Sequence, residues 1–337
     1  MQTTPKIKAT ALSIQGLRAL EAVDWPLSPG AQLPDLMVIS GPNGSGKTTL
    51  LEFIANAASC MASRMWPGDL CPLRDSWVEF RVAGEPGGME TVRFVIGSTE
   101  YLQLHKTRPS YGVIAESERP RHNVVDQSDW VREVRRAFPT KNEQIALPSV
   151  VYFPSQRAFE IPSTAYRYAG KPDVARPFFH HWSAPKAWRD SLEAQLYAAR
   201  WEDLNAREEG RPEDAVHFER YVSAFERVTQ GRKTLVWRGG ELFVLLREHE
   251  RFHSLAGLSS GEKQMLIFSA ELRRWWYPGS LILIDEPELH MHTHWQELLV
   301  GLLHDWQAEL GGQVILSTLS QTIFEAFPEG SRFQLKG

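Results

Sequence analysis

Apolar and polar positions follow distinct rhythms along this chain, and each rhythm predicts a different kind of element. Short unbroken apolar runs with β-branched residues stand at residues 36–40 (LMVIS), 149–153 (SVVYF), 281–284 (LILI) and 313–317 (QVILS). Runs of that length and composition predict strands buried on both faces of a parallel sheet. Apolar residues at helical spacing fill 48–61, 185–209, 212–229, 261–276 and 293–310, and the second and third of these have a proline near the start. Three further segments, 77–82, 90–96 and 101–106, read as strands parted by the turn signals Gly-Glu-Pro-Gly-Gly and Gly-Ser-Thr, which predicts a small antiparallel set. Residues 235–238 and 242–247 flank Gly239-Gly240, the composition of a tight hairpin. A short helix is predicted over 129–138. Residues 160–185, rich in Pro, Tyr, His and Arg without a period, read as loop. The first ten residues are polar and short of apolar positions.

This order of elements predicts an α/β fold, with strand–helix alternation at both ends and helix-rich material in the middle. The expected organisation is a single domain over residues 1–337, with an antiparallel β-subdomain at 76–107 and a helical insertion at 160–230. With 42% hydrophobic residues the chain can bury a substantial core. A net charge of −4 argues against a uniformly basic, DNA-coating protein. Two cysteines, Cys60 and Cys71, are too few and too far apart for a zinc module. The N-terminus carries no secretory signal, and the apolar runs fall far short of the roughly 20 residues a membrane span needs. These features together predict a soluble, cytoplasmic protein.

Candidate chemistry begins right after the first buried run. Gly41-Pro42-Asn43-Gly44-Ser45-Gly46-Lys47-Thr48-Thr49 satisfies GxxxxGK[ST] between a predicted strand and a predicted helix. Glycines let successive N–H groups turn inward to a phosphate, and the helix N-terminus adds partial positive charge. In that chemistry Lys47 reaches the β- and γ-phosphates of ATP and the Thr48 hydroxyl coordinates Mg²⁺. The run at 281–284 ends in Asp285 and Glu286. Asp285 is placed to hold the Mg²⁺ and Glu286 to polarise the attacking water.

Leu258-Ser259-Ser260-Gly261-Glu262-Lys263-Gln264 resembles the signature of ABC-type ATPases, and Asp285-Glu286-Pro287-Glu288-Leu289-His290 resembles the strand-end motif of the ABC-type ATPases related to SMC, RecF and OLD proteins. The resemblance covers residues 7–52 and 253–327. It implies an ABC-type P-loop NTPase fold in which ATP is sandwiched between two subunits, the phosphate loop of one facing the signature of the other. Ser259 or Ser260, the N–H of Gly261 and the helix start at Glu262 then contact the γ-phosphate across the dimer. The same Ser-Ser-Gly-Glu is also a helix cap, and the two readings coexist because the cap builds the anion site. Gln156, just past the run at 149–153, sits where the family places a glutamine that senses Mg²⁺ and water.

In one respect the chain departs from the family's pattern. Where the family has a histidine after a strand to contact the γ-phosphate, residues 314–320 (VILSTLS) carry Leu319, which offers no side-chain hydrogen bond. Slow hydrolysis is the expectation.

The resemblance implies an ATP-binding switch in antiphage defence or DNA repair that works with a separate effector, such as a nuclease, and leaves DNA open as a partner. No fused nuclease is expected after the last motif. The alternatives are a non-hydrolysing ATP sensor, suggested by Leu319, and a transporter ATPase, disfavoured by the long interval between Gly41 and Ser260. His290, His292 and His294 crowd together, but no cysteine or spare carboxylate completes a metal set. Arg132, Arg135, Arg136, Arg157, Arg167 and Arg176 make the middle locally basic, which a solvated face also explains.

Overall fold

The computed structural model describes residues 6–26, 31–63, 76–83, 89–96, 102–107, 149–155, 179–181, 192–212, 215–289 and 291–336. The helix predicted at 129–138, the segment 160–178 and Gln156 lie outside them.

Four of the six strands in the central sheet carry an unbroken or nearly unbroken apolar run. The strands are β3 (Leu36–Ser40), β7 (Val150–Phe153), β8 (Phe179–His181), β12 (Leu281–Asp285), β13 (Gln313–Thr318) and β14 (Arg332–Gln334). They lie in the order β14-β3-β13-β12-β7-β8, and every pairing is parallel. Both faces are covered, which is why the strands show no alternation. In β12, Leu281 and Leu283 join one core cluster while Ile282 and Ile284 join the other.

The first cluster lies between the central sheet and an antiparallel one, with α1 (Lys47–Ser63) contributing Leu50, Leu51, Phe53 and Ile54. The antiparallel sheet holds β1 (Lys6–Leu17), β2 (Leu20–Trp25), β4 (Ser76–Ala83), β5 (Met89–Ile96) and β6 (Leu102–Thr107), in the order β2-β1-β4-β5-β6. The three expected strands pair antiparallel, and the N-terminal segment adds two more. A buried glutamine ties the sheets together. Gln313, fully buried on β13, accepts from the Ala9 N–H at 2.8 Å and donates to the carbonyls of Ala9 and Pro34, both at 2.9 Å.

The second cluster packs α4 (Ser260–Trp275), α5 (Thr293–Leu310) and α6 (Gln321–Ala326) on the opposite face. A third unites α2 (Leu192–Glu208) and α3 (His217–Val228) with the hairpin of β9 (Lys233–Arg238) and β10 (Glu241–Leu246), to which the short β11 (Arg251–His253) adds an edge. Gly239 and Gly240 both take positive φ in its turn, as a two-residue hairpin loop requires. Leu258 and Leu266 carry this cluster to the start of α4. No helix among the described residues is long and apolar enough to cross a membrane.

Candidate nucleotide site

The strands of a parallel sheet all end on one edge, so residues far apart in sequence meet there. β3 ends at Ser40 beside Thr318 of β13, and Asp285 of β12 lies beside Ser317. The loop over residues 41–46 leaves β3 and runs into α1, which begins at Lys47. Gly44 and Gly46 adopt φ of +81° and +92°, a region open to glycine and costly for other residues. Gly46 is also sterically required, because a Cβ there would fall 2.5 Å from Cδ2 of Leu20 on β2. A Cβ on Gly41 would meet Ser45 Oγ at 2.6 Å. Asn43 and Gly44 form the exposed tip, while Ser45 and Thr49 are buried.

Lys47 is buried, and its ammonium donates to the carbonyls of Gly41 at 2.9 Å and Pro42 at 3.1 Å. Its Nζ lies 3.9 Å from Glu286 Oε1. The Thr48 hydroxyl donates to Asp285 Oδ2 at 2.8 Å, and the Ser317 hydroxyl donates to Oδ1 of the same carboxylate, which is wholly buried. A buried carboxylate oxygen beside a threonine hydroxyl is the hard-oxygen donor set a small dication takes. The residues present therefore fit Mg²⁺.

Glu286 holds an unusual backbone. Its φ is +44°, a left-handed conformation that costs a non-glycine residue on the order of 1–2 kcal/mol. The cost is offset locally, because its N–H donates to the Ser317 carbonyl at 3.0 Å and faces the Ser317 hydroxyl at 3.2 Å. The turn lifts the Glu286 side chain off the strand end toward Lys47 while Asp285 stays buried beneath. Ser317 thus positions both acids. Glu288, also buried, accepts from the Leu319 N–H, binding the turn after β12 to the loop after β13. The Leu319 side chain is 42% exposed.

The signature residues stand elsewhere. Ser259 is the N-cap of α4, its hydroxyl accepting from the Glu262 N–H at 3.3 Å, while Glu262 Oε2 accepts from the Ser259 N–H at 3.0 Å. Ser260 opens the helix. Gly261 follows against Trp295 of α5, whose Nε1 would lie 3.0 Å from a Cβ added there. Burial pushes the Glu262 carboxyl up, but hydrogen bonds from Lys233 and Ser259, together with the lysine charge, outweigh it and hold the group below its ordinary value. Among the described residues, the side-chain hydrogen bonds and ion pairs of Ser259 and Glu262 go to one another and to Lys233, none to the phosphate loop. The described residues thus hold two polar clusters, or half-sites, that share no side-chain hydrogen bond: a phosphate loop with its acids, and a capped helix N-terminus.

The family described as "AAA domain, putative AbiEii toxin, Type IV TA system" matches residues 36–324, a span that takes in both half-sites. The chain belongs to this family. It carries an AAA-type ATPase domain. The structure is similar to that of an SMC head bound to the C-winged helix domain of ScpA, with a TM-score of 0.53 at 10% identity over 96% of this chain and 95% of that one. The SMC head domain of Thermotoga maritima aligns with a TM-score of 0.48 at 15% identity over 95% and 92% of the two chains. The cytochrome c biogenesis ATP-binding export protein CcmA 1 of Cupriavidus metallidurans is 37% identical over 82 residues. That stretch spans 23% of this chain and 37% of that protein.

Sequence reasoning missed Ser317 and Glu288 as organisers of the site. The available signals were the place of Glu288 in the motif after β12 and that of Ser317 near the end of a buried strand.

Proposed function

We propose that this ATPase is a switch in which ATP joins two copies of the chain and its hydrolysis parts them. Thr48 and Asp285 would hold Mg²⁺, with Gln156 a further candidate. When bound, the ion neutralises charge on the β- and γ-phosphates. Lys47 and the N–H groups of residues 41–49 bind the phosphates, and Lys47 exchanges its loop carbonyls for phosphate oxygens. Glu286 accepts a proton from the water that attacks the γ-phosphorus, and ADP with inorganic phosphate leaves. Ser259, Ser260, Gly261 and the helix start at Glu262 of a second copy meet the γ-phosphate from the far side, as a helix N-terminus favours.

The observation that carries this reading is the Thr48–Asp285 hydrogen bond, which joins the phosphate loop to an acidic strand end 237 residues away. The separate signature half-site supports the second copy. Leu319 supports slow turnover, and a switch that waits in its ATP form suits control of a separate effector or of DNA in antiphage defence or repair. The family description, with its toxin and toxin–antitoxin terms, favours defence. A non-hydrolysing sensor is the second reading, favoured by the same exposed leucine. The organisation proposed is one ATPase domain with an antiparallel β-subdomain at 76–107 and an effector-facing insertion at 160–230. The insertion is helical at Leu192–Glu208 and His217–Val228, and within it the expected loop instead lends β8 to the central sheet.

The test uses Glu286→Gln and Ser260→Arg in the full chain. Glu286→Gln is expected to bind ATP, fail to hydrolyse it and double in mass on a sizing column when ATP is added. Ser260→Arg is expected to lose ATPase activity while its own phosphate loop still binds nucleotide. Full activity in Ser260→Arg would refute the two-copy site.

A further inference from the structure

The first turn of α4 poses an electrostatic problem. In the reading above it receives the terminal phosphate of ATP from a second copy, yet it carries the carboxylate of Glu262. A negative group in the first turn stabilises the helix itself. It also repels an anion arriving at the same turn. The cap needs Glu262 as a hydrogen-bond acceptor, since Oε2 takes both the Ser259 N–H and the Ser259 hydroxyl at 3.0 Å. It does not need the charge.

Lys233 answers the charge. Its ammonium lies 2.8 Å from Oε1 and 2.9 Å from Oε2 of Glu262, bridging both oxygens. The pair is sheltered, with side chains 20% and 12% exposed, so water and salt screen it weakly. The lysine is not on α4. It is the first residue of β9, and the turn after α3 fixes its backbone: Thr229, buried at the C-cap of α3, donates its hydroxyl to the Lys233 carbonyl at 2.9 Å and to the Phe225 carbonyl at 2.9 Å.

We propose that Lys233 is a positioning residue for γ-phosphate capture. By cancelling the Glu262 charge while leaving its cap bonds intact, it keeps the N-terminus of α4 attractive to the terminal phosphate of ATP held by a second copy. This inference rests on the two-copy site. It adds a route into that site, because whatever shifts the α3–β9 turn shifts Lys233 and so changes the pull of the signature on the nucleotide.

The experiment compares Lys233→Met, Lys233→Arg, Glu262→Gln and the Lys233→Met/Glu262→Gln double variant in the full chain. Steady-state phosphate release is measured against ATP concentration, ATP binding to the single copy by calorimetry, and assembly by sizing. Lys233→Met is expected to lower kcat/KM about tenfold, the scale of a typical coupling between sites, with single-copy ATP affinity unchanged. Lys233→Arg restores activity. The double variant also restores most of it, because glutamine keeps the acceptor and removes the unbalanced charge. That rescue separates charge cancellation from mere bracing, since a brace with both ends removed stays broken.

Glu262→Gln alone is expected to lower the ATP concentration needed for assembly, and it keeps the inference testable if Lys233→Met folds poorly. A double variant as impaired as Lys233→Met, or a Glu262→Gln that needs more ATP, would overturn the role given to Lys233. If Ser260→Arg is inactive while Lys233→Met matches the wild type, the two-copy site stands and only this inference fails. A fully active Ser260→Arg removes both.

Discussion

Leu319 lies at the exit of β13, its N–H held by Glu288 and its side chain half in solvent. An imidazole there could donate to a developing phosphoryl charge, which the leucine cannot. Loss of one such donor typically costs on the order of a hundredfold in rate. Leu319→His is expected to raise turnover by about ten- to a hundredfold on that scale, with ATP affinity little changed because the phosphate loop dominates binding. Phosphate release at saturating ATP measures it, and equal rates in both variants would show that the position plays no part in turnover. At this scale the sequence is an uneven guide. That Lys47, Thr48, Asp285 and Glu286 lie together is legible, because glycines at forced φ and acids at the end of an apolar strand leave local patterns. The bonds of Ser317 to Asp285 and of Glu288 to Leu319 leave none. They depend on which strands end side by side, a property of the sheet.

Among the elements, α3 is held by a neighbour. Its own N-cap, Val216, has no side chain able to accept a hydrogen bond, so the first turn would bury open donors. Asp203 of α2, almost fully buried, accepts from the N–H groups of His217 at 2.7 Å and Phe218 at 2.9 Å. Asp203→Ala is expected to destabilise the chain by about 2 kcal/mol, the worth of a charged acceptor lost from buried donors. Urea unfolding followed by tryptophan fluorescence checks it, and Asp203→Asn should recover part of the loss. Elements with a regular pattern on a covered face are legible in the sequence, as with α5, predicted and found at Thr293–Leu310. β1 is not. A register shift between Ala9 and Ala11 breaks its period of two, so that Ile7, Ala9, Leu12, Ile14 and Leu17 are all buried without strict alternation. β8, β11 and β14, at three residues each, are too short to carry a period.

Across the whole molecule, the two large sheets share a core cluster with α1, and a buried amide bonds one to the other. Gln313→Leu would keep volume but leave the Ala9 N–H without its acceptor and two carbonyls without their donor. The expected loss is about 2–4 kcal/mol, from buried backbone groups left unpaired at roughly 1–3 kcal/mol each. Thermal unfolding of the purified variant measures it, and an unchanged midpoint would mean that water replaces the glutamine. The sequence could not reveal this joint, because Gln313 and Ala9 are 304 residues apart and a lone glutamine at a strand start has an ordinary reading.

The long reach of the site also sets a clock. Thr48 leaves the ribosome 237 residues before Asp285, and synthesis at about 5–20 residues per second makes that gap roughly ten to fifty seconds. β3 must wait still longer, since both of its sheet neighbours, β13 and β14, come later than Asp285. A nascent chain therefore shows a phosphate loop long before it owns the acids to use it. On the proposed mechanism, newborn copies are idle through that interval, and hydrolysis waits until the C-terminal strands have closed the sheet.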